Sequence, residues 1–170
     1  MEEGRIIIKP YDSKSPSYFE KEKNFLLKEL GDKFEINHIG STAVPGLGGK
    51  NVIDIQLLVP TKKVAFKIVK KLEDIGYFYN RKGGDRFRLF FNRNRHYDKK
   101  VHIHLHVMWK TSNKYKNHLI FRDYLRRHPE EAKRYFSLKK RWAKIAGEDR
   151  EKFTDLKTEY IKEVLKKAVG

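Results

Sequence analysis

Asp54 stands in the middle of the apolar run Val52-Ile53-Asp54-Ile55-Gln56-Leu57-Leu58-Val59. A carboxylate desolvated in such a run costs on the order of several kcal/mol unless it is paired, hydrogen-bonded or bound to a cation. Gln56 leaves the same face of an extended strand, so its neutral oxygen is expected to join whatever Asp54 binds. The plainer reading puts Asp54 at a strand end, paired with Lys50 or an arginine. Upstream lies His38-Ile39-Gly40-Ser41-Thr42-Ala43-Val44-Pro45-Gly46-Leu47. Its Gly40-Ser41 pair follows a strand-like stretch, where backbone N–H groups and a hydroxyl can approach phosphate oxygens with no bulky side chain between them. Taken alone, Gly-Ser after a strand is more often only a turn.

A second group of candidates is His102-Ile103-His104-Leu105-His106. On a strand the three imidazoles share one side, while Ile103, Leu105 and Val107 face a core. Imidazole suits Zn, Ni, Fe or Cu and serves as a general base near neutral pH. The competing reading is a solvated strand edge with ordinary polar/apolar alternation. His102 to Met108 also resembles the alternating signature of the histidine-triad nucleotide hydrolases, a likeness that implies attack of His104 on an α-phosphate.

Cations complete the set. Arg86 and Arg88 are expected on one strand face, and Arg122, Arg126, Lys139, Arg141, Arg150 and Lys157 on helices that could close over a sheet, where guanidinium forks suit phosphate oxygens. Lys plus Arg total 39 against 22 Asp plus Glu, a net +17 that attracts polyanions and favours a nucleotide, a phosphorylated small molecule or RNA as partner. A charge-dense surface is also what growth at high temperature favours, which explains density but not sign. Basic residues interleave with aromatics at Tyr77-Phe78-Tyr79-Asn80-Arg81 and Arg86-Phe87-Arg88, a composition that can stack bases beside phosphate contacts or simply pack a core. Cysteine is absent, which excludes disulfides, thiolate metal sites and a cysteine nucleophile.

These residues need a sheet to hold them. Phe34 to Ile39 and Val52 to Val59 read as strands, the second the more central, joined by the glycine-rich Gly40 to Lys50. Ser15-Pro16 reads as a cap and first-turn proline for a helix ending at Gly31, after the apolar run Arg5 to Lys9. Thr61 is expected to cap a helix bearing Val64, Ile68, Leu72 and Ile75, closed by Gly76. Phe87 to Phe91 and Val101 to Met108 read as a hairpin with Asn92 to Lys100 as its turn. From Asn113 onward the pattern is helical, broken at His128-Pro129 and near Gly147. The expectation is one α+β domain over residues 1–170: a mixed sheet of four or five strands flanked by helices, with a helical C-terminal third. No run approaches the roughly 18 apolar residues of a membrane span, and Met1-Glu2-Glu3-Gly4-Arg5 lacks a leader's basic and apolar regions. A cytoplasmic protein with no membrane partner is expected.

The segment His38 to Leu47, followed by Lys50 and Ile53-Asp54-Ile55, closely resembles the hallmark segment of the GrpB family, whose fold is assigned to the nucleotidyltransferase-like superfamily. Tyr11-Asp12, Phe19, His104 to Val107, Phe121 to Arg126 with His128-Pro129, and Tyr135, Lys139 and Lys157 also resemble family blocks. The resemblance covers nearly the whole chain. It implies a Gly-Ser turn that holds a triphosphate, paired carboxylates that bind Mg²⁺, and nucleotidyl transfer by in-line displacement. Gln56 departs from that pattern, standing where the second carboxylate would be. One negative charge about 4 Å from a cation is worth roughly 4 kcal/mol at an effective dielectric of about 20, and an amide offers only a dipole.

The resulting expectations are specific. Asp54, Gln56 and His104 are the catalytic candidates. Gly40, Ser41, Lys50, Arg88, Arg122, Lys139 and Lys157 are the phosphate or nucleotide ligands. Asp54, His104 and His106 are the ligands of a divalent metal, Mg, Mn or Zn. Two alternatives stand beside this: a non-catalytic module for RNA or an acidic partner, and a histidine-dependent nucleotide phosphohydrolase centred on His104.

Overall fold

Ile53, Ile55, Leu57 and Val59 alternate with Asp54 and Gln56 along strand β2 (Val52–Val59). Ile103, Leu105 and Val107 alternate with His104 and His106 along β5 (Lys100–Trp109). The two strands pair in parallel, with Asp54 opposite His104 and Gln56 opposite His106. Period two therefore puts all seven aliphatic residues on one face and the polar candidates on the other. The computed structural model describes residues 4–170; residues 1–3, part of the N-terminal stretch expected to lack a leader's features, lie outside the described residues.

Three further strands complete the sheet: β1 (Glu35–Ile39), β3 (Phe78–Tyr79) and β4 (Arg88–His96). The order is β1-β2-β5-β4-β3, with only the β2–β5 pair parallel. Helix α1 (Ser15–Leu30) and the short helices α2 (Lys62–Lys67) and α3 (Val69–Asp74) cover the aliphatic face. Tyr18, Phe19, Leu26, Ala65, Leu72 and Phe91 join the strand residues there in one buried core. The opposite face is roofed by α4 (Tyr115–Arg127), α5 (Pro129–Ala146) and α6 (Arg150–Val169). These helices pack around a second core of Val44, Leu47, Leu125, Tyr135, Trp142, Phe153, Tyr160 and Val164. The α+β class, the mixed sheet flanked by helices and the helical C-terminal third are as expected, and no helix among the described residues is long and apolar enough to cross a membrane.

Local departures have physical reasons. Ser15 does not cap α1: the helix starts at Ser15, preceded by Lys14, with no side-chain cap. The helix expected from Thr61 to Ile75 is interrupted at Ile68, although Thr61 does accept from Val64 N at 3.3 Å. Most of the expected turn Asn92 to Lys100 is strand, because Asn92, Arg93, Asn94, Arg95 and His96 pair with β5 down to Lys100. A buried carboxylate makes that polar run tolerable. Glu22, with no exposed surface, receives Tyr77 Oη at 2.6 Å and Tyr97 Oη at 2.9 Å, and pairs with Arg93 at 3.4 Å and Arg95 at 3.1 Å. Arg86 lies ahead of β4 and so does not share a strand face with Arg88.

Candidate functional site

The polar face of β2 and β5 does not meet the helical roof flush. Between them lies a cavity of about 540 Å³, bounded by Gly40, Ser41, Gly49 and Lys50 on one side, Asp85, Arg88, Asp54, His104 and His106 on the sheet, and residues of α4, α5 and α6 above. A second hollow of about 550 Å³, formed by Arg5 to Ile8 and α5, contains no carboxylate or imidazole among the described residues; chemistry points to the first.

Asp54 is reached from two sides. His106 Nε2 lies 3.2 Å and His104 Nδ1 3.4 Å from its Oδ1. The other ring nitrogen of His106, Nδ1, is 2.9 Å from an Arg88 guanidinium nitrogen. A guanidinium can only donate, so Nδ1 accepts, and a neutral His106 carries its proton on Nε2, from which it donates to Asp54. Burial pushes the His106 ring down from 6.5, against the pull of Asp54 and with Arg88 adding to the fall, so the ring stays neutral. Burial alone would raise the Asp54 carboxyl. The imidazoles of His104 and His106 outweigh it and hold the group well below the usual carboxylate range. Arg88, His106 and Asp54 thus form a directed chain that keeps the carboxylate ionised and oriented.

Gly40 brings the backbone to the same carboxylate. Its φ is 74°, and a Cβ there would lie 2.6 Å from Asp54 Oδ2, so only glycine fits. Ser41 begins a short 3-10 turn, and a Cβ at Gly49 would strike Ser41 Oγ and lie 3.3 Å from Lys139 Nζ. His38 is locked away from the cavity. Its ring stacks on Phe19 at 4.6 Å and its Nε2 lies 3.0 Å from Thr42 Oγ1, whose hydroxyl donates to Val52 O at 3.1 Å. The hydroxyl proton is spent on that carbonyl, so Nε2–H donates to Thr42; burial holds the ring at about 4.

Cations dominate the lining. Lys139 is 4% exposed, donates to Gly48 O and sits 4.6 Å from the Tyr135 ring centroid. Burial first, then Lys157, lowers its pKa to about 7. Lys157 is also pushed down by burial, as is Lys50, which lies over the Phe153 ring at 4.7 Å. Four cations, Lys50, Arg88, Lys139 and Lys157, face two carboxylates, Asp54 and Asp85. Among the described residues only two buried side-chain polar atoms lack a hydrogen-bond partner, Arg88 Nε and His118 Nδ1, and both residues line this cavity. Asp85 Oδ2 is 3.2 Å from Arg88 Nε, a charge contact without a directed hydrogen bond.

Three expectations require correction. Gln56 does not serve Asp54: it has no exposed surface, its Nε2 donates to Tyr115 O at 3.0 Å, and its Oε1 accepts from Asn37 at 3.4 Å. Arg122 does not reach the cavity: it donates to His38 O at 3.0 Å and to Asp123 at 2.7 Å, fastening α4 to the end of β1. Asp54, His104 and His106 do not form a metal ligand set, since no group of three or more His, Asp or Glu among the described residues has that arrangement. The Nε2–H of His106 faces the carboxylate instead. His102 is on the same strand face but exposed and outside the cavity lining. His118 was not anticipated; only its place one helical turn before Arg122 on α4 pointed to the sheet-facing side.

The arrangement of the Gly-Ser turn, Asp54, Arg88, Lys139 and Lys157 can be compared with known proteins. The family model described as GrpB protein matches residues 5–167. The chain belongs to the GrpB family. A GrpB protein of Enterococcus faecalis, solved by crystallography, superposes with a TM-score of 0.79 at 30% identity, over 95% of this chain and 96% of that one. A UPF0157 protein of Pseudomonas aeruginosa is 33% identical over 99% of this chain and 70% of its own length. The glutamate-rich protein GrpB of Alkalihalophilus pseudofirmus is 31% identical over 95% of both chains. Within the matched region, the stretch His38 to Leu47 brings Gly40 and Ser41 to Asp54.

Proposed function

We propose that this GrpB protein binds a nucleotide or other phosphorylated small molecule in the cavity beneath α4–α6, with the phosphates between the Gly40-Ser41 turn and Lys50, Arg88, Lys139 and Lys157. The observation that carries this reading is the lining itself, in which four cations face two carboxylates beside the Gly-Ser turn. An anionic ligand with acceptor oxygens balances that excess of positive charge and accepts charge-assisted hydrogen bonds from it. Asp54 then repels phosphate unless something intervenes, and the Arg88–His106 chain spreads a positive counter-charge behind it.

Nucleotidyl transfer through paired Mg²⁺ ions is a poorer fit. Gln56 is committed to Tyr115, and among the described residues Asp54 is the carboxylate beside the Gly-Ser turn. The pair Asp54–His104 supports a second reading, histidine-dependent hydrolysis. If His104 turns an Nδ1–H toward Asp54, its Nε2 lone pair is free to form an N–P bond as the P–O bond to the departing phosphate breaks; water then cleaves the N–P bond.

The test is titration with inorganic phosphate, pyrophosphate and nucleoside triphosphates, followed by assay of phosphate release. Binding that weakens about tenfold or more in Arg88→Met supports the first reading; release lost in His104→Ala and Asp54→Asn supports the second. Absence of binding to every phosphate probe rejects both.

A further inference from the structure

The cavity opens beside a basic and aromatic ridge that mononucleotide binding leaves without a role. Asp85 and Arg88 line the cavity, and Phe87 lies between them in the turn that leads into β4. Asp85 holds that turn, accepting from Phe87 N at 2.7 Å and bridging to Arg88. Phe87 is half-buried. The Arg86 guanidinium lies 4.7 Å from its ring centroid, and Lys114 Nζ lies 5.4 Å from the same centroid. Lys114 immediately precedes α4, whose Asn117 and His118 line the cavity; the ridge and the cavity therefore share a wall.

The ridge continues away from the mouth. On edge strand β3, Phe78 pairs with Asn92 and so leaves the cavity face of the sheet, where it is 70% exposed, whereas Tyr79 turns to the opposite face and stacks on Phe91 of the first core. Arg81, Lys82, Arg86, Lys114 and Lys116 are all exposed, and Asp85 is the sole carboxylate in residues 78–88 and 110–116. An exposed ring at Phe78, the Phe87 ring under the Arg86 guanidinium and the surrounding exposed cations are what a flexible phosphodiester chain with stacking bases requires. Neither an acidic protein nor a membrane needs the aromatic spacing.

We infer that the ridge formed by Phe78, Arg86, Phe87 and Lys114 binds single-stranded nucleic acid whose terminal phosphate enters the cavity. This rests on the phosphate reading of the cavity. The cations contact successive phosphates, Phe87 with Arg86 supplies the first stacking plane outside the mouth, and the cavity selects a phosphorylated end over an internal position.

Fluorescence anisotropy with six-nucleotide RNA and DNA strands, each with and without a 5′- or 3′-phosphate, tests the inference against a mononucleotide. The expected result is binding of an end-phosphorylated strand about tenfold or more tighter than the mononucleotide, with a steeper loss on adding salt. Phe87→Ala and the surface change Arg86→Glu should each remove most of that advantage and leave mononucleotide affinity unchanged. RNA and DNA arms that differ identify which nucleic acid is preferred, and either preference supports the inference. A mononucleotide that binds as tightly as every strand overturns it while leaving the cavity reading intact, and so does a strand affinity indifferent to Arg86→Glu. Strands that bind equally with hydroxyl or phosphate ends also overturn it. No binding of the mononucleotide or inorganic phosphate is the separate failure of the cavity reading.

Discussion

Lys139 holds a charge where burial opposes it. Its ammonium keeps one carbonyl acceptor, Gly48 O, and its pKa falls from 10.5 to about 7, first through burial and then through Lys157. The unfolded chain binds that proton up to about 10.5, so between about 7 and 10.5 the unfolded state carries more protons and stability rises with pH. The penalty is present in full below about 7. Urea midpoints across this interval should climb in the parent protein and climb less in Lys139→Met. The same variant should melt higher at pH 6, because a poorly solvated charge is replaced by an apolar chain. Gln56 gives the opposite kind of test. In Gln56→Glu an acceptor would face the Tyr115 carbonyl in a place with no exposed surface, so the variant should lose roughly 2–5 kcal/mol in urea unfolding and gain no Mg²⁺ affinity by calorimetry. Asp54, Gly40 and the basic residues were legible as residue types in unusual surroundings. That Gln56 turns to a backbone carbonyl was not legible, because strand alternation gives the face a side chain leaves and not its partner. His118 was hidden for a related reason: it belongs to no motif and matters only through what α4 packs against.

The elements divide the labour. β2 and β5 carry the candidates at period two, and the glycine-rich loop delivers Gly40 and Ser41 to them. β4 supplies Arg88, but its outer half exists because α1 presents Glu22 to Arg93 and Arg95 across the core. Removing that carboxylate strands two guanidinium groups at the core edge. Glu22→Ala is expected to cost about 3–5 kcal/mol, read as a lowered urea midpoint, with β4 amides beyond Asn92 exchanging fastest. Sequence periodicity was enough to find β1, β2, β5 and the C-terminal helices, because their apolar residues repeat with the element. The polar half of β4 was read as a turn, since its stabilising partner lies about 70 residues away and local hydropathy carries no record of it. β3 is two residues long, too short for any periodic signal.

For the molecule as a whole, the walls of the cavity come from segments spread between Ile8 and Ile161. The net +17 surrounds that opening with a field that should speed the approach of anions. Association rates for a nucleotide should therefore fall with added salt more than dissociation rates rise, as stopped-flow measurement would read. The central claim is that side-chain cations, not a bound metal, hold the phosphates. Its most direct test is calorimetric titration of the protein with a nucleoside triphosphate in EDTA, beside the same titration of Lys139→Met. Binding at one site that persists in EDTA and weakens roughly 10-fold or more in Lys139→Met is the expected result. Binding that requires a divalent ion, or that is unchanged by Lys139→Met, would contradict it.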